Sequence, residues 1–328
     1  MGFQGTDGTS AEYWIVRPDG AVLADRLRFV DMGGKSWVFM SDRLVARSVR
    51  SLHQWQHEVS VHSAACASRC DFVLPLVCFA LAANSDAFCQ LNRLGGFLVT
   101  PRRSMDMIKL AGMRMTRAAW LRTCAMACRA VESLHTAGLF HGDVTVENLL
   151  VDGVVRDPAS GVVIHVDRVE VMDMESGQVV GRDGTLAVST TLSGKEHSLP
   201  PEWLRGDCGR KMQSDASCAS GFAADVFTLG CSLLTLRVGR HGHGMRDVRR
   251  FVNEAGGDVR SLLSLRGEAV AATAAAGLHD ADLSTLQRML EVSPSKRCSA
   301  SEAAKAFEEE LRRCGGGEAR RCGCGRHA

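Results

Sequence analysis

The sequence predicts an α+β chain of two lobes, a small β-rich lobe followed by a larger helical one, and three observations support this. Short apolar runs broken by turn residues fill residues 12–40, a pattern typical of strands. Apolar residues recur every three or four positions over residues 117–135, as on the buried face of a helix. The 328 residues, with 45% hydrophobic and 23% charged side chains, are sufficient for two compact lobes.

The order of these patterns suggests where the lobes begin and end. We expect a flexible N-terminus over residues 1–11, a first lobe over 12–101 and a second lobe over 102–312. Residues 313–328 are rich in Gly, Cys and Arg, and we expect a disordered tail there.

Composition excludes several classes of protein. The net charge is +2, and no basic stripe interleaved with aromatic residues suggests a nucleic acid as partner. The 13 cysteines do not follow the spacing of a small disulfide scaffold, so reduced thiols are expected. No run reaches the roughly 18 apolar residues of a transmembrane helix. These features favour a cytosolic protein without a transmembrane segment; they do not indicate its oligomeric state.

The segment from His141 to Leu150, reading HGDVTVENLL, carries the clearest chemical signal. Asp143 could accept the proton of an attacking hydroxyl, and Asn148, five residues further on, could hold a metal ion on nucleotide phosphates. The segment resembles the catalytic loop of protein kinases, with Gly142 in place of the family's arginine and Thr145 in place of its lysine. The resemblance implies a bilobal kinase-like fold, Mg-ATP as cofactor and a protein substrate or partner.

Three further segments of the second lobe resemble kinase motifs in the correct order. Pro200-Pro201-Glu202 matches the end of an activation segment, and the resemblance pairs Glu202 with Arg297. Between them, Ala224 to Gly230 resembles the central helix, whose aspartate, here Asp225, holds the backbone of the catalytic loop.

The first lobe departs from the family at several positions. The resemblance places Arg47 where kinases have the phosphate-binding lysine, with Glu58 as its partner. Of the glycine-rich loop only Gly33 and the following Val38 match, and a plain hairpin turn explains that segment equally well. The resemblance also places Thr100 at the gatekeeper position behind the adenine pocket.

The second magnesium ligand of the family has two candidates here. Asp173 follows an alternating strand pattern and precedes an apolar residue, whereas Asp167 is followed by the charged Arg168. We therefore assign Asp173 to this role together with Asn148, with a longer hairpin through residues 152–162 between them. Glu175 then stands where the family has a glycine.

Two functions remain open. The degraded first lobe favours a pseudokinase, or a strongly impaired kinase, that acts by binding a protein. The alternative is an active Ser/Thr kinase with Asp143 as base. Pro101-Arg102 and the HGD loop also give a narrower resemblance to the rhoptry kinases of coccidian parasites. That branch implies secretion and a signal missing from this sequence.

Overall fold

The computed structural model describes most of the chain and divides it into two compact units. The described residues are 12–16, 22–32, 36–49, 51–81, 96–180, 199–204, 221–238, 252–264 and 278–321. The first unit comprises the described residues up to Arg103, except Cys70–Phe72, together with Asp173–Glu175. The second unit comprises the other described residues. The predictions for residues 1–11, Gly33 and residues 322–328 lie outside the described residues.

The first unit is built on a six-stranded antiparallel sheet with the strand order β1-β2-β3-β4-β6-β5. The strands are β1 (Glu12–Val16), β2 (Val22–Met32), β3 (Trp37–Met40), β4 (Leu44–Val49), β5 (Cys78–Leu81) and β6 (Gly96–Pro101).

Strand β4 illustrates how the sequence specifies this sheet. Successive side chains of a strand point to opposite faces, so Ala46 and Ser48 share one buried face while Arg47 lies on the other. On the Ala46 face, Phe39 and Phe97 pack edge to face with ring centroids 6.0 Å apart. The strand thus presents Arg47 on the face opposite this aromatic pair.

Helix α1 (Leu52–Ala67) packs on the Arg47 face of the sheet. Ser51 caps its N-terminus by accepting a hydrogen bond from the backbone N–H of Gln54 at 3.1 Å. Its buried residues recur at helical spacing and include Trp55 and Glu58. Trp55 packs against β4 and β6 and donates a hydrogen bond to the carbonyl of Phe97 at 3.2 Å. This packing places Glu58 on the inner face of the helix.

The second unit is mainly helical. Its helices are α2 (Met107–Ala111), α3 (Arg117–Thr136), α4 (Pro201–Leu204), α5 (Gly221–Val238), α6 (Val259–Ser264), α7 (Asp280–Met289) and α8 (Ala300–Arg321). Its short strands are β7 (Met105–Asp106), β8 (Leu139–Phe140), β9 (Leu149–Asp152), β10 (Val155–Arg156), β11 (Val163–His165), β12 (Arg168–Val171) and β13 (Gln178–Val179).

Helices α3, α5 and α8 form the core of this unit. Trp120 of α3 packs edge to face on Phe307 of α8, with centroids 5.7 Å apart. Gly230 lets α5 approach Leu290 closely, because a Cβ at this position would lie 3.0 Å from the leucine side chain. Among the described residues, α5 alone is long and apolar enough to cross a membrane, but 72% of it is buried inside the protein, as expected for a core helix.

The α+β prediction is confirmed, since a β-sheet unit precedes a helical unit. In the apolar stretch over residues 72–81, only Cys78–Leu81 forms a strand. Leu74, in the earlier part, is buried in the core and its carbonyl lies 2.6 Å from the His62 ring of α1, so this backbone is engaged by a helix instead of a neighbouring strand. Helix α8 extends nine residues into the segment for which we expected a tail.

Candidate active site

The catalytic-loop segment connects β8 to β9 and is anchored by a buried aspartate of α5. Asp225 accepts hydrogen bonds from the backbone N–H groups of His141 and Gly142, each at 2.9 Å, and lies 3.0 Å from Nε2 of His135. The predicted role of Asp225 is therefore confirmed. A buried carboxylate that satisfies two backbone donors fixes the start of the loop.

The His141 side chain makes two hydrogen bonds that fix the conformation of the loop. Its Nδ1 accepts a hydrogen bond from the Asp143 N–H at 3.1 Å, so the ring proton is on Nε2 and is donated to the carbonyl of Met172 at 2.9 Å. These contacts orient the backbone on which Asp143 is carried.

Asp143 and Asn148 lie together in this loop. The amide nitrogen of Asn148 donates to the backbone carbonyl of Asp143 at 2.9 Å and to its carboxylate at 3.0 Å. The carbonyl oxygen of the Asn148 amide is then the atom through which it would bind a metal ion. Thr145, at the lysine position, is 3% exposed and brings no cation to this loop.

Gly142 has a backbone conformation that other residues rarely adopt. Its φ is +79°, and a Cβ at this position would lie 2.9 Å from the carbonyl oxygen of Ser176. An arginine here, as in the family, would need a different backbone path. The local backbone conformation therefore requires glycine at position 142, where the family has arginine.

We expect Gly142→Ala to destabilise the protein by about 2–4 kcal/mol, from left-handed strain and from the clash with Ser176. Gly161→Ala is the matched control, because Gly161 also has a positive φ (+67°) but no neighbour within 4 Å of the added Cβ. The control should cost about 1 kcal/mol. Urea unfolding of both variants tests this, and an equal loss in the two would contradict the steric argument.

The first unit holds a cluster of charges around Arg47. The Arg47 guanidinium forms an ion pair with Glu58 of α1, and it lies 3.3 Å from the carboxylate of Asp173. The Arg47 and Glu58 side chains are 17% and 1% exposed. Glu175 adds a third carboxylate close enough to act on the Arg47 charge. One guanidinium thus faces three carboxyl groups.

Burial and charge act on this cluster in opposite directions. Burial lowers the pKa of Arg47, but the carboxylates of Asp173, Glu58 and Glu175 outweigh it and raise the pKa above its ordinary value. Burial raises the pKa of Glu58 to about 7, with a further contribution from Asp173 and Glu175, although Arg47 opposes the increase. Arg47 therefore remains charged, while Glu58 gains a proton close to neutral pH.

Glu58 should make the stability of the protein depend on pH. Its pKa rises from 4.5 to about 7, so the folded protein binds the extra proton and stability falls as pH rises between these values. We expect the free energy of unfolding to fall by roughly 1–3 kcal/mol between about pH 5 and pH 8 from this group alone. Urea unfolding of the wild type and Glu58→Gln isolates its contribution. Identical pH dependence in the two proteins would contradict the assignment.

The structure places the other predicted residues as follows. Val38 lies directly opposite Arg47 in the ladder between β3 and β4. Thr100 lies opposite Val45 in β6. Asp167 is 64% exposed and lies 2.8 Å from the His165 ring, whereas Asp173 lies 3.3 Å from Arg47.

Three features of the site were not predicted from the sequence. The contact between Arg47 and Asp173 joins residues far apart in the chain, and no local pattern indicates it. Asp173 also has a positive φ of +67°, which is uncommon for a residue other than glycine. The carbonyl of Ser176 against Gly142 was also missed.

The predicted pair of Glu202 and Arg297 is confirmed. Both guanidinium NH₂ groups of Arg297 donate to the carboxylate of Glu202 at 2.6 Å, and the two side chains are 8% and 0% exposed for Glu202 and Arg297. Arg297 also lies over the ring of Phe227, 4.7 Å from its centroid. This fork links α4 to the segment before α8.

A β-sheet unit with a paired arginine and glutamate, followed by a helical unit with an anchored His-Gly-Asp loop, defines a protein of the kinase class. Residues 98–307 match the family model described as the protein kinase domain, and this match covers more than half of the chain. The chain belongs to the protein kinase family.

Two curated relatives are serine/threonine kinases. The chain is 32% identical over 118 residues to serine/threonine-protein kinase PKZ1 of Phytophthora infestans (strain T30-4), over 35% of this chain and 27% of the relative. A second PKZ1 sequence from Phytophthora infestans is 33% identical over 114 residues, over 34% of this chain and 26% of the relative. The chain thus spans about a quarter of the length of these relatives. They give no support to the narrower resemblance to rhoptry kinases.

The family generally uses ATP and Mg²⁺, and the two units fit them differently. In the second unit, Asn148 offers an oxygen ligand next to Asp143. In the first unit, Asp173 lies against a guanidinium that would compete with a metal ion for its carboxylate. Among the described residues no group of three or more His, Cys, Asp or Glu side chains is arranged to hold a metal ion.

Proposed function

We propose that this protein is a pseudokinase or a strongly impaired kinase, which acts by binding a protein substrate or partner. The observation that carries the proposal is the Arg47 cluster, in which a guanidinium replaces the family's lysine and lies 3.3 Å from the carboxylate of Asp173, the expected metal ligand.

The net charge of this cluster opposes nucleotide binding. With one guanidinium and three carboxylates, the cluster is negative whenever two of the carboxylates are ionised. A polyanionic triphosphate is repelled by such a group unless a metal ion neutralises it. Glu175 is the added charge, since the family has glycine at this position.

The geometry of Arg47 adds a second obstacle. Its planar fork is engaged by carboxylates on two sides, and a guanidinium positions charge differently from the compact ammonium of lysine. Because phosphoryl transfer depends mainly on electrostatic positioning, a misplaced cation costs several kcal/mol of transition-state stabilisation.

The alternative is an active Ser/Thr kinase that uses Mg-ATP, and one observation favours it. The Asp143 and Asn148 pair has the hydrogen bonds that hold a proton acceptor and a metal ligand in one loop. Asp143 would take the proton of the substrate hydroxyl, and Asn148 would help to hold the metal ion. The relatives named serine/threonine kinases are consistent with either function.

Thermal unfolding with and without Mg-ATP separates these functions at the binding step. A ligand present at about 100 times its Kd stabilises a protein by about 2.7 kcal/mol. We expect no stabilisation of the wild type by millimolar Mg-ATP and a clear increase in Tm for Arg47→Lys/Glu175→Gly. Asp167→Ala, outside the cluster, is the control. A large Tm increase for the wild type would refute the binding defect.

A further inference from the structure

We infer that Ser104 is a phosphorylation site for an arginine-directed Ser/Thr kinase, and that phosphate there weakens the contact between the start of the second unit and β9. This inference is independent of the proposed function.

The sequence around Ser104 carries the recognition signal. Arg102-Arg103-Ser104 is the one Arg-Arg-Ser in the 328 residues. Kinases that select arginine do so with carboxylates, which guanidinium groups bind through two parallel hydrogen bonds. A serine that follows two arginines therefore fits an acidic substrate groove.

The local structure makes this signal accessible. Arg102 and Ser104 are exposed, and residues 102–104 lie outside helices and strands, between β6 and β7. The Arg102 side chain donates to the carbonyl of Ser41 at 3.0 Å, an exposed contact that a carboxylate of the modifying kinase can replace.

Ser299 also has basic residues before it, but the arginine among them is less accessible than those before Ser104. Ser299 follows Lys296-Arg297-Cys298, but the Arg297 side chain is fully buried against Glu202. Sequence alone would permit both serines, whereas the structure selects Ser104.

The chemical step needs ATP and the modifying kinase. The Ser104 hydroxyl oxygen attacks the γ-phosphorus of ATP, the bond from that phosphorus to the ADP oxygen breaks, and the hydroxyl proton passes to the catalytic carboxylate of the modifying kinase. The products are phosphoserine and ADP.

Phosphorylation removes an existing contact. The Ser104 hydroxyl donates a hydrogen bond to the carboxylate of Asp152 at 2.5 Å. Phosphoserine has no hydroxyl to donate and carries nearly two negative charges, which the Asp152 carboxylate repels. The contact thus changes from attraction to repulsion.

The affected strands adjoin the catalytic loop. Met105 and Asp106 of β7 pair with Val151 and Leu150 of β9, and β9 begins directly after Asn148. Asp106 also caps α2 by accepting from the backbone N–H of Lys109 at 2.8 Å. Repulsion at Ser104 therefore acts on a two-residue strand pairing, which is easily opened.

The first test is phosphorylation of the full chain by a purified arginine-directed Ser/Thr kinase with Mg-ATP, followed by mapping of the phosphorylated residue by mass spectrometry. Ser104 should be modified, and Ser104→Ala should lose that phosphate. Arg102→Ala/Arg103→Ala should slow the reaction at Ser104 by about tenfold or more, because two charged contacts are lost. Arg312→Ala/Arg313→Ala is the control and should leave the rate unchanged. Absence of phosphate on Ser104, or an unchanged rate in the Arg102/Arg103 variant, overturns the assignment.

The second test is hydrogen exchange of the β7 amides before and after phosphorylation. We expect exchange at Met105 and Asp106 to be about tenfold faster in the phosphorylated protein. Ser104→Ala, which loses the hydrogen bond without gaining charge, should show a smaller change. Asp152→Asn should restore part of the protection in the phosphorylated chain. Unchanged exchange after phosphorylation would refute the structural effect.

Discussion

Replacing Asp225 with alanine is expected to lower the free energy of unfolding by about 3–5 kcal/mol. Asp225 is 1% exposed and accepts from the backbone N–H groups of His141 and Gly142. Alanine would leave both of these buried donors without this acceptor, and each such loss costs about 1–3 kcal/mol. Urea unfolding monitored by circular dichroism measures the change.

A surface aspartate provides the control for Asp225→Ala. Asp280 is 91% exposed and pairs with Arg260 at 2.7 Å, and exposed pairs contribute less than about 1 kcal/mol. Asp280→Ala should therefore be nearly neutral. If Asp225→Ala destabilised the protein no more than Asp280→Ala, the anchoring role of Asp225 in the catalytic loop would be wrong.

Arg297→Ala should cost a similar amount, about 3–5 kcal/mol, because it removes one partner of a buried ion pair. Glu202 would lose both guanidinium donors, and the carbonyls of Glu291 and Val292 would lose theirs at 2.6 and 3.2 Å. The packing over Phe227 would be lost as well. Denaturant unfolding again provides the measurement.

The Arg297→Lys variant separates the contribution of the two parallel hydrogen bonds from that of the positive charge. Lysine keeps the charge but cannot make two parallel hydrogen bonds to Glu202, so most of the loss should remain. A double-mutant cycle with Glu202→Gln should give a coupling energy above about 1 kcal/mol. Additive effects of the two substitutions would show that the pair does not act as a unit.

The second unit was largely predictable because its key contacts involve residues with specialised chemistry at fixed places in known motifs. Asp225 and the Glu202–Arg297 pair could be assigned from sequence because a buried charge needs a partner, and the motif order indicates which one. The periodicity over residues 117–135 predicted helix α3, which the structure contains.

The first unit was less predictable, and the reasons are physical. The contact of Arg47 with Asp173 depends on how distant segments pack, which local periodicity does not encode. The high pKa of Glu58 depends on burial among Asp173 and Glu175, which is visible only once the fold is known. The short apolar runs within residues 12–40 do not show that β2 is one strand from Val22 to Met32, because polar residues in an antiparallel sheet can continue a strand.

Gly142 shows the limit of reasoning from motif positions. From the sequence alone, Gly142 is simply a position at which the family's arginine is absent. The structure shows a left-handed backbone packed against Ser176, in which an arginine would not fit without rearrangement. Replacing Gly142 with the family's arginine would therefore require the local backbone to change.

Phosphate transfer by the purified, unmodified protein tests the central claim most directly. Single-turnover reactions with radiolabelled Mg-ATP and a generic protein substrate would compare the wild type with Asp143→Asn, which removes the candidate base beside Asn148. The charge cluster around Arg47 predicts that the two rates are indistinguishable from background. A wild-type rate in the range of ordinary kinases, lost in Asp143→Asn, would contradict it and establish an active kinase.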